Sequence, residues 1–274
     1  MTSPTPAGNP VPPFPGGTAL SHLRVYDWPA PDAAGTCGGG SPHLHTASSE
    51  GYLVLAGAGS VQTLGPRGFA QTPLVPGALL WFSPGVVHRL VNDGGLEILV
   101  IMSHAGLPEA GDSVLTFPAD VLADSGAYMQ AAALPAQEPG RGTAGEDDAV
   151  VAAAARARRD LALEGFATLR RRVDREGLGA LVDLYAAAGR LVADLAPRWH
   201  QIWAATVPDQ SVATARVLAD LALGNAPHLA GAAVGAASVR PGPRGYGMCG
   251  RLRTWALEAG THGAEVRPWE GSRP

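Results

Sequence analysis

The chain has 274 residues, a formal net charge of −4 and 46% hydrophobic residues, enough to bury the core of one large domain or two ordinary ones. All twenty of its basic residues are arginines, so it offers neither a lysine amine for a Schiff base nor a P-loop lysine. Enzymes that depend on pyridoxal phosphate (PLP) are therefore excluded. No block of like charges predicts a nucleic-acid or membrane partner.

The two cysteines and the amino terminus indicate where the protein works. Cys37 and Cys249 form no C-x-x-C pattern, which favours free thiols in a reducing compartment. The first residues lack the basic and apolar regions of a signal peptide, and no apolar run is long enough to span a bilayer. We expect a cytoplasmic protein without nucleic-acid or membrane partners.

Residues 1–18 are rich in proline and glycine and predict a flexible tail. In residues 19–118, short apolar segments alternate with glycine and proline, which predicts a β-barrel. Three stretches read as turns: 57–59, 65–68 and a hairpin at 92–95. The predicted strands are 21–27, 43–46, 51–56, 60–64, 69–74, 78–83, 87–92 and 95–102.

Helical features follow the strands. Residues 119–145 predict a linker with two short helices, at 119–124 and 126–133. Residues 146–274 predict a mostly α-helical module, because apolar side chains there recur with helical spacing, as at Ala162, Phe166, Leu169 and Val173. Further helices are predicted at 198–206, 211–223, 227–237 and 251–259.

Two short segments carry the residues with the clearest chemistry. His43 and His45 lie two residues apart in a predicted strand, so both imidazoles project to one face. Glu50 opens the next strand and can turn its carboxylate toward the pair. A third histidine, His88, follows a Pro84-Gly85 turn further along the chain. Three imidazoles and a carboxylate suit a first-row transition metal.

These segments resemble the two sequence motifs of the cupin superfamily, a G…H-x-H…E…G stretch and a G…P-x-G-x-x-H…N stretch. One departure is that Pro84 and Gly85 are adjacent, where the family usually has a residue between them. The resemblance implies an α+β chain with an N-terminal double-stranded β-barrel of the jelly-roll type. It also implies that His43, His45, Glu50 and His88 bind one divalent metal. We expect Fe(II), with Mn(II), Ni(II), Cu(II) or Zn(II) as alternatives, and no NAD.

Strand alternation and neighbourhood suggest further residues of the site. Tyr52 shares the face of Glu50, and with Glu97 it is a candidate for proton transfer. Five residues on neighbouring strands are candidates for substrate contact, although the face on which each lies is open at this point: Gln62, Trp81, Phe82, Arg89 and Met102.

Three functions remain open from the sequence. The first is an Fe(II)-dependent dioxygenase-type oxidoreductase, favoured because this chemistry is common among the proteins that the chain resembles. The second is a metal-dependent isomerase, epimerase or lyase in which Tyr52 or Glu97 moves the proton. The third is a protein that senses a small molecule without catalysis, because a fold does not by itself imply a function.

Overall fold

A computed structural model of the chain describes residues 12–135, 146–255 and 257. The strands are β1 (Ala19–Val25), β2 (His43–His45), β3 (Glu50–Gly65), β4 (Gly68–Leu74), β5 (Leu79–Phe82), β6 (Val87–Met102), β7 (Ser113–Leu115), β8 (Gly245–Tyr246) and β9 (Gly250–Thr254). The helices are α1 (Ala119–Ala123), α2 (Ser125–Ala132), α3 (Glu146–Glu176), α4 (Gly179–Val192), α5 (Ala196–Ala204) and α6 (Val207–Ala222). The fold thus combines an N-terminal sheet with C-terminal helices.

All nine strands belong to one antiparallel sheet, whose path runs β4-β3-β6-β1-β9-β8. Strand β2 pairs with β6 and β7, and β5 pairs with β3. Among the described residues no ladder joins β4 to β8, so the sheet is open where we expected a closed barrel. Its two longest strands, β3 and β6, pair through several register shifts, and the sheet buries a core of its own side chains.

The pairing of β3 with β6 corrects two turn predictions. The predicted hairpin at 92–95 is wrong, because β6 runs unbroken through it and pairs along most of its length with β3. Asn92 Oδ1 instead accepts hydrogen bonds from the backbone N–H groups of Gly94 and Leu96, at 2.9 and 3.1 Å. The predicted turn at 57–59 is likewise a run of β-bulges within β3. The turn at 65–68 is confirmed, since Gly65 pairs with Gly68 across it.

The two faces of the sheet bury different cores. One face, which we call the inner face, carries a cluster built almost entirely from strands, including Leu23, Tyr52, Leu90 and Ile98. The other, the helix-side face, carries residues such as Leu44, Leu64 and Val87, which share a cluster with Phe166 of α3 and Leu184 of α4. Alternation along each strand separates the two sets.

The end of the described chain differs from the predicted helical pattern. The helix expected at 251–259 is replaced by β9, which pairs with the free edge of β1. Leu252 lies opposite Leu23, while Arg251 and Arg253 alternate with it, so the period is that of a strand. The helix expected at 227–237 is only a short 3₁₀ turn over Pro227–Gly231. The module after residue 146 is therefore not purely helical.

Some predictions fall outside the described residues: the first eleven residues of the predicted tail, residues 136–145 of the predicted linker, and residues 256 and 258–274 of the C-terminal module. In the part of the chain that is described, none of the helices combines the length and the apolar character that crossing a bilayer requires.

Candidate metal centre

Four buried side chains from three strands meet at the inner face: His43, His45, Glu50 and His88. One potential ligand atom from each lies within 4.8 Å of every other. The register explains the convergence, because His43 of β2 pairs directly with His88 of β6, and Glu50 is the first residue of β3. Two sequence segments that are far apart are thus brought to one point by strand pairing.

The outer nitrogen of each imidazole is held by a hydrogen bond to the protein. His43 Nδ1 lies 2.8 Å from the carbonyl oxygen of Ser41, and His88 Nδ1 lies 3.0 Å from that of Val86. His45 Nδ1 lies 2.6 Å from Asp112 Oδ1. Because all three acceptors are oxygens, each Nδ1 carries the proton and donates it. The Nε2 atoms are left as the potential metal-binding nitrogens.

The inner atoms form a centre that suits a cation. The Nε2 atoms of His43 and His88 are 3.2 Å apart, and Glu50 Oε2 is 2.9 Å from His88 Nε2 and 3.2 Å from His45 Nε2. Oε2 is buried and has no well-aligned hydrogen-bond donor among the described residues. When every Nε2 is deprotonated, as metal binding requires, the lone pairs of these atoms face one another without a donor, which is costly in a buried site. A divalent transition metal would satisfy them, so these residues fit the metal that the sequence predicts.

The pKa shifts at the centre follow from burial and from the facing charges. Burial, followed by the charges of the neighbouring histidines, lowers the pKa of His43 well below its usual value. Burial also lowers that of His45, but Asp112 and Glu50 outweigh it and raise the pKa of His45 to about 10. Although burial opposes ionisation of Glu50, the facing histidines hold its pKa well below its usual value. Glu50 is therefore a carboxylate at neutral pH.

Asp112 is a functional residue that the sequence analysis missed. It is fully buried, and its second carboxylate oxygen accepts the backbone N–H of Ser48 at 2.9 Å. The residue follows a glycine in a connecting loop, and no spacing links it to His45 in the sequence. Its position beside a ligating imidazole is one that orients the ring and increases its basicity.

Two of the predicted contact residues, Phe82 and Met102, lie at the centre, as does Tyr52, which was predicted for proton transfer. Glu50 is in register with Phe82 on one side and Met102 on the other, so these side chains share its face. The Phe82 ring is centred 4.3 Å from that of His88 and 5.3 Å from that of Tyr52. Tyr52 is fully buried, and its hydroxyl has no hydrogen-bond partner among the described residues.

Gln62 and Arg89 lie away from the centre. They are opposite one another across β3 and β6, on the helix-side face, because they alternate with His88 and Leu90. The Arg89 guanidinium forms an ion pair with Asp32 and donates to Gln62 at 3.4 Å. The expectation that these two side chains contact substrate at the metal is therefore not met.

Trp81 and Glu97 also point elsewhere. The Trp81 side chain is 74% exposed. Glu97 sits between the inward Leu96 and Ile98 and turns outward, where it pairs with His22 at 2.7 Å and Arg24 at 2.9 Å. The neighbours of each residue in its strand face the inner core. Because successive side chains of a strand point to opposite faces, Trp81 and Glu97 lie on the face away from the candidate metal centre. Glu97 is thus not placed to move a proton at the metal.

The adjacent Pro84 and Gly85, which depart from the usual cupin motif, form part of a tight turn. Ser83, Pro84, Gly85 and Val86 make a tight turn in which Gly85 has a φ of 86°. Proline and glycine at its second and third positions are the residues that a type II turn requires. A hydrogen bond joins the turn to strand β2, because Gly85 donates its N–H to the carbonyl oxygen of His45 at 2.9 Å.

Comparisons with known proteins give one family match and several partial structural similarities. The model of the cupin domain family matches residues 33–102. No curated protein sequence matches the chain. Similar solved structures include the capsular polysaccharide assembling protein CapF from Staphylococcus aureus, which is 19% identical over 23% of this chain and 19% of that one, with a TM-score of 0.21.

Two more structures show the same partial similarity. A variant of oxalate decarboxylase from Bacillus subtilis is 18% identical over 36% of this chain and 25% of that one, with a TM-score of 0.29. The TDP-quinovose 3,4-ketoisomerase WlaRB from Campylobacter jejuni is 13% identical over 31% of this chain and 60% of that one, with a TM-score of 0.25. In each case less than two thirds of the other protein is covered.

The family match rests on the same segments that build the centre. It contains both histidines of β2, Glu50 and His88, as well as the Ser83–Val86 turn and Asn92. The chain therefore carries a domain of the cupin superfamily, which includes all four candidate metal ligands.

Proposed function

We propose that this protein is a mononuclear metal-dependent enzyme that oxidises a small organic molecule, with Fe(II) as the favoured metal and a dioxygenase-type reaction. The observation that carries the proposal is the convergence of three Nε2 atoms and one carboxylate oxygen in a buried centre. A bound redox-active metal supplies Lewis-acid and electron-transfer chemistry there. His43, His45, Glu50 and His88 would hold the metal, and a metal held by these four protein ligands could take a substrate oxygen as a further ligand.

The groups around the centre favour oxidation over isomerisation. An isomerase, epimerase or lyase needs a base that can take a proton from the substrate. Glu97 is on the other face of the sheet, and burial together with the nearby Glu50 carboxylate raises the pKa of Tyr52 well above its usual value. Neither residue is then a competent base at neutral pH. The isomerase remains the second candidate.

The protein's own residues bind and orient the substrate in this proposal. Tyr52 keeps its proton and its hydroxyl lies near Glu50, so it can donate a hydrogen bond to a substrate oxygen held there. Phe82 and Met102 flank Glu50 and present apolar surface, which excludes water from the reacting atoms. Asp112 holds the His45 ring in a fixed orientation.

Metal analysis is the first test. The purified protein should contain about one equivalent of a transition metal by mass spectrometry, and Glu50→Gln and His88→Ala should lose most of it, because each removes a ligand from a four-ligand set. Trp81→Ala is the matched control, since this exposed side chain lies on a strand paired with β3. Equal metal content in all four proteins would show that the centre is not a metal site.

Turnover is the second test. After anaerobic reconstitution with Fe(II), we expect oxygen uptake with a member of a panel of phenols, keto acids and thiols. Turnover that persists without oxygen would support the isomerase or lyase. Tight zinc with neither oxygen uptake nor anaerobic turnover would favour the third hypothesis, a non-catalytic sensor.

A further inference from the structure

Three strands begin or end together at the candidate metal centre. Phe82 is the last residue of β5, Glu50 is the first residue of β3, and Met102 is the last residue of β6. The register places Glu50 directly between the other two, so all three side chains lie on the inner face. They form one row at the end of the sheet, which we call the rim row.

The exposure of the inner face falls with distance from the rim row. Along β3 it falls from 7% at Glu50 to 0% at Tyr52. Along β6 it falls from 7% at Met102 through 5% at Val100 to 0% at Ile98. Solvent therefore reaches the inner face at the rim row, which contains a candidate metal ligand, and not through the interior of the sheet.

The two side chains that flank Glu50 differ in their freedom to move. The Phe82 ring is held against the rings of His88 and Tyr52, with centroids 4.3 and 5.3 Å away. Met102 is unbranched and flexible, so it can change rotamer. Because neighbouring strands are about 4.8 Å apart, the backbones of residues 82 and 102 are about 10 Å apart across Glu50. The opening between them is narrow, with one fixed side and one movable side.

The strands contribute no cationic side chain to the inner face in the part of the chain that the structure describes. Their arginines are Arg24, Arg89, Arg251 and Arg253. Each of them alternates with residues of the inner-face cluster or packed against it, as Arg251 and Arg253 do with Leu252, so each lies on the opposite face. Recognition of a phosphate or a carboxylate ordinarily uses cationic side chains, so the inner face suits a molecule whose body is uncharged.

We propose that the substrate reaches the metal across the rim row, that Phe82 and Met102 set the size of the molecule that is admitted, and that this molecule is apolar and uncharged apart from the group that binds the metal. The inference rests on the proposed function, because it takes the metal centre as the reacting site. The apolar pair that excludes water from the centre then also selects the substrate by size.

Metal-binding probes of different size test the proposal without turnover. In the full-length protein loaded with Co(II), imidazole and 4-phenylimidazole are titrated against the visible absorption of the metal. Met102→Ala and Phe82→Leu should each tighten the binding of 4-phenylimidazole by at least about fivefold relative to that of imidazole. The reason is that the phenyl ring of the bound probe lies between these two side chains, and each substitution makes room for it.

Ile101→Ala is the matched control. Ile101 precedes Met102 in β6, but it pairs with Gly51 on the opposite face of the sheet, so it should leave the ratio of the two affinities unchanged. Because the two rim substitutions are made separately, either variant decides the outcome if the other does not fold. An unchanged ratio in the rim variants, or an equal change in Ile101→Ala, would overturn the proposal.

A charged probe tests the ligand class. 3-(Imidazol-4-yl)benzoate adds a carboxylate to 4-phenylimidazole, and it should bind more weakly to the parent protein, because the strands offer that carboxylate no cationic partner on the inner face. Binding that is as tight as or tighter than that of the neutral probe would overturn the assignment to an uncharged substrate.

The same titrations separate this proposal from the proposed function. If the parent protein does not bind Co(II), the proposed function fails as well. Normal Co(II) binding with no spectral response to imidazole, or with no size effect in the rim variants, overturns only the entrance at the rim row.

Discussion

At the scale of single residues, the metal centre depends on which nitrogen of each histidine is free. A carbonyl or carboxylate oxygen fixes every Nδ1, so every Nε2 faces the common point. The resemblance to the cupin motifs implied the four ligands, but it did not include Asp112. This residue reaches His45 through a loop rather than through a strand of either motif. Its contribution is visible only when the chain is folded.

Asp112→Asn should lower metal affinity by about 10- to 100-fold while the chain still folds, because the amide is isosteric but no longer an anionic acceptor for His45. Competition with a chromophoric chelator measures the affinity. Asp32→Asn is the control, since that carboxylate pairs with Arg89 off the metal centre. Equal affinity in Asp112→Asn and the parent would mean that the contact with His45 does not tune the site.

At the scale of elements, the two segments predicted as turns, 57–59 and 92–95, lie opposite one another in the long strands β3 and β6. The strands continue through them with β-bulges instead of reversing direction. Gly57 has a φ of 76°, and a Cβ there would lie 2.1 Å from the carbonyl oxygen of Gly95. Glycine is required at this point both for its backbone conformation and for the close approach of the neighbouring strand. Local turn chemistry is the same in a bulge as in a hairpin, which is why the sequence predicted turns here.

Gly57→Ala should therefore destabilise the fold by more than about 2 kcal/mol. Gly68→Ala is the matched control: its φ is also positive, at 86°, but no atom lies within 4 Å of a built Cβ. That variant should cost only about 1 kcal/mol of backbone strain. Urea unfolding followed by circular dichroism measures both. Equal losses of unfolding free energy in the two variants would show that the Gly95 carbonyl does not exclude a side chain at position 57.

The second cysteine, Cys249, lies immediately before strand β9. The Cys249 thiol is buried in the inner-face cluster, and burial raises its pKa far above the usual thiol value, whereas Cys37 is exposed. An Ellman assay of the native protein at pH 8 should therefore count about one thiol, and two after denaturation, because the thiolate is the reactive form.

The same pKa shift gives a dependence of stability on pH. The Cys249 thiol ionises in the unfolded chain above about pH 8.5 but stays protonated in the folded one. Its contribution is therefore fully present below that pH and is lost as the pH rises above it. Cys249→Ala should remove this part of the alkaline decline in urea midpoints. If the urea midpoint of Cys249→Ala falls with pH as steeply as that of the parent, the loss of stability at alkaline pH comes from other groups.

At the scale of the whole molecule, two buried arginines of α3 connect the helices to the sheet. Arg159 donates to the carbonyl oxygens of Trp28 and Pro29, at 2.7 and 2.9 Å. Arg158 donates to that of Gly247 at 2.7 Å. The same helix thus binds the segment between β1 and β2, at Trp28 and Pro29, and the hairpin of β8 and β9, at Gly247. That the chain forms a homodimer is a prediction that light scattering of the purified protein tests.

Arg159→Met should cost about 2–3 kcal/mol, because it leaves two carbonyl groups without their charged donor in a buried site. Arg172→Met is the control, since Arg172 lies at the protein surface, where ion pairs with Glu176 and Asp183 contribute little. Urea unfolding of the two variants measures the difference. A cost for Arg159→Met as small as that for Arg172→Met would mean that the sheet and the helices do not depend on this contact.

The sequence by itself determined the strand-rich N-terminal region, the helical character of residues 146–222 and the four candidate metal ligands. These predictions rest on the periodicity of apolar residues and on the spacing of motif residues. Both are properties of the sequence that do not depend on how the strands are arranged. Only the tertiary structure decided that Glu97, Trp81, Gln62 and Arg89 face away from the candidate metal centre, because alternation assigns a residue to a face only once the register and the bulges of its strand are known. It alone also brought Asp112 to His45 and joined β9 to β1. Contacts between distant segments depend on the folded arrangement, and no local pattern encodes them.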